Sequence, residues 1–502
     1  MKVVQRTSAA VALIALFLAC RVSAEAAPYT FSDIPNPPRM EGKVGGVDFT
    51  PSGKLAACFH RGDLWLYSPN DGTWKQFAEG LQEPLGLVAI SDSEFLVVQR
   101  PELTRLVDED GDGWADLYRT VCDDFGMSGN YHEFAFGPAV GPDGDWFISL
   151  NTASNGAGIY DEVRGEFREI GRPGRMYACV PYRGWTLRVD ADGSMEPWAM
   201  GFRSPNGIGF DHSGRLFVTD NQGDWLGTSK VYHVEKDQFY GHVTSLVWKE
   251  GVTESPLKWD VERLDAMRRK ASFLLPHGEL SNSPTQPIPF PEDGSFGPFE
   301  GQLIIGEMNY PHLIRAMPDV VHGNVQGAVT KFLGDTEMRR GAHRFTWGPD
   351  GALWLGHTFR ARGWIGDKGL QRVAWTGETP TEVQWMRLTE DGFELTFTRP
   401  MDREALAKAE TYQFTRFYYE YHQAYGSNRF DVASVSVTEI EVSADGKTVG
   451  LTLPEQLPGY VYKLTLDGLS DENGAPVLNP NLYYTLNYRF DGTTGTPQFS
   501  QK

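Results

Sequence analysis

The chain has 502 residues, more than one ordinary hydrophobic core holds, so two domains are expected. Its 46 Lys and Arg face 66 Asp and Glu, and the net charge of −20 excludes the basic footprint of a nucleic-acid binder. Aromatics at 13% and 55 glycines favour many short strands with tight turns over long helices.

Residues 1–24 read as a secretory signal peptide. Lys2 and Arg6 give a charged start, and the apolar run from Ala9 to Ala19 is too short to span a bilayer. Val22-Ser23-Ala24 is a small-x-small cleavage site, with Ala24-Glu25-Ala26 as an alternative. A secreted or periplasmic protein without a transmembrane span is expected. Phe17-Leu18-Ala19-Cys20 loosely resembles a lipoprotein box, but Phe17 fits it poorly, so a lipid anchor on Cys20 is the lesser reading. Cys58, Cys122 and Cys179 remain, which allows at most one disulfide. None has metal-ligand spacing, and no C-x-x-C-H attaches a haem. Buried structural thiols are the simplest expectation.

From residue 25 to 376 one pattern recurs: an alternating strand, a P-D-G-like turn, then a second strand. It appears at Val47–Leu55, from Gly86 (GLVAISDSEFLVV), at Val140–Ile148, in the hairpin of Gly201–Trp225, at Gly301–Gly306 without its turn, and at Phe345–Leu355. Repeats about 40 residues apart, each with several short strands, predict a β-propeller, and six copies predict six blades. Val252–Ser283 fills a longer gap with a charged helix over Val261–Lys270, an insertion of the kind that covers a site.

After Trp375 the character changes. Thr376–Pro380 reads as a linker. Residues 377–490 carry strands such as GFELTFTRP, GKTVGLTL and YVYKLTLDGL, whose period-2 patterning predicts a small Ig-like β-sandwich. Residues 491–502 form a polar tail. The whole reads as an all-β chain, a six-bladed propeller followed by the sandwich.

Three motifs carry chemistry. In Asp108-Glu109-Asp110-Gly111-Asp112-Gly113-Trp114-Ala115-Asp116, carboxylates stand at positions 1, 3, 5 and 9, which is how a calcium loop begins. Glycine stands at 4 and at 6. Position 12 is Arg119 instead of a bidentate Glu, so the loop is an incomplete EF-hand, which implies a remote ligand or a lower-affinity site. Asn130-Tyr131-His132-Glu133 places a histidine at the entry to an inner strand, where it can act as a general base or serve as a hydrogen-bonded structural group. Arg203-Ser204-Pro205-Asn206-Gly207 and Arg339-Arg340-Gly341-Ala342-His343-Arg344 enter equivalent strands. Arg203 and Arg344 suit a carboxylate-bearing ligand, because a guanidinium fork binds two oxygens. Arg339 and Arg340 read as solvated surface, and His357, Arg360 and Arg362 project to the same face.

His132, GFRSPNGIGF and VTDNQGDW resemble the soluble glucose/sorbosone dehydrogenase propellers, which bind pyrroloquinoline quinone. LPHGELSNSPTQPIPF, GPFEGQLIIGE, GLQRVAWTG and the C-terminal YGS and YTLN segments are similar to a secreted propeller group abundant in planctomycetes and verrucomicrobia, known as membrane-bound dehydrogenase domains. The resemblance implies that His132 is the catalytic base and that Arg203 lies near the quinone. It also implies that Asn206 and Asn221-Gln222-Gly223 lie near the cofactor and its calcium, with Arg344 as a further cofactor contact. Where that family keeps a basic residue paired to the quinone, this chain has Glu307-Met308-Asn309. The implied activity is oxidation of a sugar or sugar-derived alcohol or aldehyde, with electrons passing to a separate cytochrome or other acceptor. A non-catalytic carbohydrate-binding or scaffold propeller is the alternative, and a polysaccharide lyase the third reading.

Overall fold

The computed structural model describes residues 27–156, 163–359 and 365–490. Residues 1–24, expected as a signal peptide and including Cys20, the tail of residues 491–502, and Arg360 and Arg362 lie outside them. Six four-stranded antiparallel blades follow one another in chain order, five as separate sheets and one as half of a larger sheet. Their innermost strands are Val44–Phe49, Gly86–Ala89, Ala135–Val140, Gly207–Phe210, Pro284–Pro289 and Ala342–Trp347. Each inner strand packs on the next, and the sixth packs on the first, so the sheets close into a six-bladed ring.

Closure uses the two ends of the ring segment. Blade six takes three strands from Ala342–Trp347, Leu353–His357 and Gly369–Trp375, and its outer strand is Tyr29–Ile34, paired antiparallel from Tyr29↔Trp375 to Ile34↔Leu370. Near the axis the backbones touch. A Cβ on Gly86 would stand 1.6 Å from the Gly137 carbonyl oxygen, so no side chain fits there. The second strands, such as Leu55–Phe59 and Trp146–Leu150, are buried throughout and form the cores between blades.

Blade five departs from the expected pattern. Gly301–Gly306, counted above as an inner-strand copy, forms its second strand, Leu303–Glu307. The inner strand is the proline-rich Pro284–Pro289. An innermost strand is hydrogen-bonded along one edge only, so prolines whose nitrogens face the open edge cost no ladder bond. The helix in the insertion is shorter than its charge pattern suggested, Val261–Met267, and the outer strand of blade four, Phe273–Leu275, lies within the stretch read as insertion.

The C-terminal strands form two sheets around a shared apolar core in which Met386, Phe393, Leu395 and Leu451 meet Phe414, Tyr462, Leu464 and Tyr484. One of these sheets is continuous with blade five. Asn324–Phe332 pairs with Asn481–Leu486, making an eight-stranded sheet. Buried Arg315 of blade five donates to the Val383 carbonyl at 2.6 Å and pairs with Glu382 at 3.4 Å, fixing the junction. Cys58, Cys122 and Cys179 are buried free thiols, so no disulfide joins them. Among the described residues no helix is long and apolar enough to cross a membrane.

Candidate functional site at the upper mouth of the ring

All six inner strands begin on one side of the ring and all second strands end there; this side is the upper face. Loops entering the inner strands carry amides with no sheet partner, and buried carboxylates take them. Asp220 accepts from the amides of Ser204 at 2.7 Å and Arg203 at 3.1 Å. Glu307, one blade on and also ending a second strand, accepts from the amides of Asn309 at 2.9 Å and Ser283 at 3.2 Å and from the Ser281 hydroxyl. Burial pushes its carboxyl above the usual range, against the pull of those donors. Glu307 therefore serves as a backbone clamp.

On the axis, the Arg344 guanidinium is fully engaged. It donates to Leu85 O at 3.1 Å, to His343 O at 2.8 Å, and to Asn206 at both O (2.8 Å) and Oδ1 (3.1 Å). His343 Nε2 lies 3.0 Å from the same Asn206 Oδ1. Burial pulls the Arg344 guanidinium down to about 9 and takes the His343 imidazole well below its ordinary value, where the Arg344 charge adds to the effect. Arg344 and Asn206, expected to meet a ligand, are bound to each other and form a polar plug inside the channel.

His132 stands at the entry to the inner strand of blade three and is half-buried. Its Nδ1 is 2.8 Å from the Thr152 carbonyl oxygen. A carbonyl only accepts, so Nδ1 carries the proton in the neutral ring and the lone pair sits on Nε2. Thr152 in turn donates through both its amide (3.1 Å) and its hydroxyl (2.8 Å) to the carbonyl of Arg203, which ties the two candidate residues to one scaffold. The His132 amide donates to Asn130 Oδ1, and Asn130 Nδ2 donates to the Tyr177 hydroxyl, both at 3.0 Å.

The Arg203 side chain is ion-paired inside the protein through its Nε. Its Nε donates to Asp224 Oδ1 at 3.0 Å, while Asp224 Oδ2 meets His242 Nε2 at 3.1 Å. Burial alone would raise the Asp224 carboxyl, but His242 and Arg203 outweigh it and hold it well below the carboxylate range. Over this trio lies a strand of the C-terminal module. Tyr421–Tyr425 pairs with Asp224–Leu226, the Tyr425 ring lies 5.6 Å from the Arg203 guanidinium, and its hydroxyl takes a hydrogen bond from Gln222. The Gly426 amide donates to Gly223 O at 2.9 Å. A Cβ on Gly223 would collide with Arg203 Nε at 2.1 Å, so glycine lets the guanidinium lie against this loop. Asn221 O takes the Lys230 ammonium at 2.8 Å. The asparagine-glutamine-glycine segment thus binds the C-terminal strand and a buried lysine. The sequence signal was the YGS segment, noted for its resemblance; its contact with blade four needed the third dimension.

These placements test the quinone. A tricarboxylate needs unspent cations, and its calcium needs unspent carbonyls. Arg344 is engaged on the axis, Arg203 is paired with Asp224 through Nε, Glu307 is an acid, and Asn221 O and Gly223 O each accept a hydrogen bond. Of the cations named for the cofactor, Arg203 alone has terminal Nη groups without a hydrogen bond among the described residues, a poor match to three carboxylates. The carboxylate loop is also elsewhere. The Asp108 amide binds Ser93 O at 2.9 Å, in the turn below blade two, so Asp108–Asp116 lies on the lower face. Oxygens of Asp108, Asp110 and Asp116 lie within 4.8 Å of one another, a hard-donor set suited to a divalent cation. Asp112, expected as a fourth ligand, is outside this group and accepts from the Trp114 amide at 2.8 Å.

At the rim, Arg339 braces Lys368 O and Leu370 O, and buried His357 meets Arg340 O at 3.0 Å. Burial first, then the Arg339 charge, pushes the His357 imidazole down to about 3.

A family model described as a domain of unknown function (DUF7133) matches residues 70–271, from the outer strand of blade one through most of blade four. No curated protein matches the chain. Among solved structures, a Thermus thermophilus protein described as a putative oxidoreductase (glucose dehydrogenase) shares 19% identity at a TM-score of 0.48, covering 69% of this chain and 99% of its own. The pyrroloquinoline-quinone-bound aldose sugar dehydrogenase of Streptomyces coelicolor shares 15% at 0.45, covering 70% and 99%. The holo quinone domain of Coprinopsis cinerea pyranose dehydrogenase shares 12% at 0.48, covering 70% and 96%. The ring architecture itself is read from the strand pairing described above.

Proposed function

We propose that the upper mouth binds a sugar or sugar-derived alcohol and that His132 takes a proton from one of its hydroxyls, the proton-transfer half of a sugar oxidation. The observation that supports this reading is the fixed tautomer: Thr152 O holds the proton on Nδ1, so Nε2 has the lone pair. The imidazolium formed on proton uptake keeps its Nδ1–H bond to Thr152 O, which stabilises the new charge. Thr152, tied to the Arg203 carbonyl, limits rotation of the ring. An oxidation also needs a redox acceptor for the hydride, the carbon-bound hydrogen that leaves with its bonding electron pair as the hydroxyl proton goes to Nε2. The internal bonds of Arg344 and the acid at Glu307 argue against a tricarboxylate quinone in this position. The acceptor in this reading is a separate molecule.

The test is dye reduction by purified protein with a panel of aldoses and polyols, with and without added quinone and calcium. Sugar-dependent reduction that is lost in His132→Gln is expected. No turnover with any sugar or additive would refute the oxidation. A second reading, a carbohydrate-binding propeller without redox chemistry, is favoured by the occupation of Arg203, Gln222 and Gly223 by the C-terminal strand. Calorimetric sugar binding without turnover, unchanged in His132→Gln, would select it.

For the lower face we propose a structural calcium ion at Asp108, Asp110 and Asp116, on the opposite side of the ring from His132. Calcium would raise the melting temperature and leave turnover unchanged. A melting temperature insensitive to both calcium and chelator would refute it.

A further inference from the structure

In a chain with a net charge of −20, cations that lack a carboxylate partner stand out. Two of them lie near His132. Arg172 and Arg175 stand on either side of the turn at Pro173-Gly174 that leads into Met176–Tyr177, the second strand of a small ribbon with Ala153–Ser154. The Arg175 guanidinium lies 4.1 Å from the centre of the Tyr425 ring, and the Arg172 guanidinium 4.7 Å from that of Tyr177. Neither arginine pairs with a carboxylate among the described residues, and Arg172 Nη1 is buried there without a hydrogen-bond partner. A guanidinium stacked on a ring keeps its in-plane N–H edge for an incoming anion.

The ribbon is joined to the proposed base. Tyr177, beside Arg172, accepts from Asn130 Nδ2, and Asn130 Oδ1 holds the His132 amide. The Asn155 amide binds Arg175 O at 2.9 Å, and Asn130 Nδ2 also reaches Ser154 O at 3.0 Å. Two large rings are left exposed in this region: Tyr131, beside His132, and Tyr425, against Arg175, are each 46% exposed. An aromatic face suits the apolar face of a pyranose, and an arginine edge suits an anionic substituent on it.

We propose that the ribbon and the C-terminal strand form a subsite for a sugar bearing an anionic group, with Arg172 and Arg175 binding the anion and Tyr425 and Tyr131 supporting the ring. This rests on the reading of the upper mouth as a sugar site and narrows its substrate class. It gives the C-terminal module a role in recognition through Tyr425.

The test is calorimetry with trigalacturonate, a sulfated galactotriose and neutral galactotriose. Wild type is expected to prefer at least one anionic sugar over the neutral one by about tenfold or more at low salt, with the preference shrinking as salt rises. Preference for the uronate identifies a carboxylate as the anion, and preference for the sulfated sugar identifies a sulfate ester; either upholds the anionic class. The double variant Arg172→Gln/Arg175→Gln should bring the ratio close to one, and Tyr425→Ala should weaken all three sugars while Tyr425→Phe keeps them. A ratio near one in wild type, or a ratio unchanged in a double variant whose melting temperature shows it folded, overturns the proposal. His132→Gln separates the two readings: a retained anionic preference with no turnover in any variant removes the oxidation and leaves this subsite standing.

Discussion

At the axis, Arg344 donates to three residues, is buried, and has its guanidinium pulled down to about 9 by that burial. At the rim, Arg175 is exposed, stacked on a ring, and has no carboxylate partner among the described residues. The two regions use one residue type for opposite ends. A buried guanidinium has to satisfy its donors internally, so it becomes part of the frame. One at the rim keeps its donors in water and can exchange them for a ligand. Approach to the channel axis is therefore a poor guide to ligand binding in this ring, and the state of each donor is a better one.

Breaking the axis and the rim should have different signatures. The largest effect is expected for His132→Gln, which removes the proton acceptor and should cut sugar turnover by about 10²–10⁴-fold with little change in melting temperature. Arg344→Met leaves Leu85 O, His343 O and Asn206 O without its donors and should destabilise the fold by about 3 kcal/mol, read as a lower urea midpoint. A stable Arg344→Met protein that had lost only sugar binding would move Arg344 from the frame to the site.

The comparison also sharpens with pH. His357 and His312 are held neutral, chiefly by burial, at about 3 and about 4. Both lie below the unfolded value of 6.5, so the unfolded chain binds more protons between those limits. Their contribution is complete above pH 6.5 and is lost as pH falls toward 3 to 4, by roughly 1.4 kcal/mol per pH unit for each histidine. Urea midpoints at about pH 7.5 and about pH 5.5, on either side of the unfolded value, should show that loss, and His357→Gln should flatten it. A flat profile in the parent protein would mean that these rings are not kept neutral by the fold. The smallest change is expected for Tyr425→Phe, which loses one hydrogen bond with Gln222 and should cost about 1 kcal/mol while leaving the ring in place.

The repeats made the ring legible, because alternating strands with P-D-G turns repeat wherever a blade does. Blade five hid its inner strand, since Pro284, Pro287 and Pro289 read as a strand breaker until the one-edged pairing of an innermost strand is known. The outer strand of blade six was invisible for a different reason. Tyr29–Ile34 closes the ring by pairing with Gly369–Trp375 at the other end of the propeller segment, and no local pattern records such a pairing. At the site, the residue types pointed to one mouth of the ring, where His132 and Arg203 are joined through Thr152. They did not show which groups were already spent. Asp224 lay in the acidic cluster after the fourth repeat, and Tyr425 lay in another module, so the burial of Arg203 between them left no local trace. The calcium-like loop had a legible donor set, but only the strand order of blade two puts it on the lower face.

The most direct test of the upper mouth as the working end is a crystal structure with a bound sugar. The expected result places a ring hydroxyl within about 3.2 Å of His132 Nε2, beside the Tyr131, Arg175 and Tyr425 surface. A sugar bound on the lower face, or one whose hydroxyls all stand away from the His132 imidazole, would contradict it.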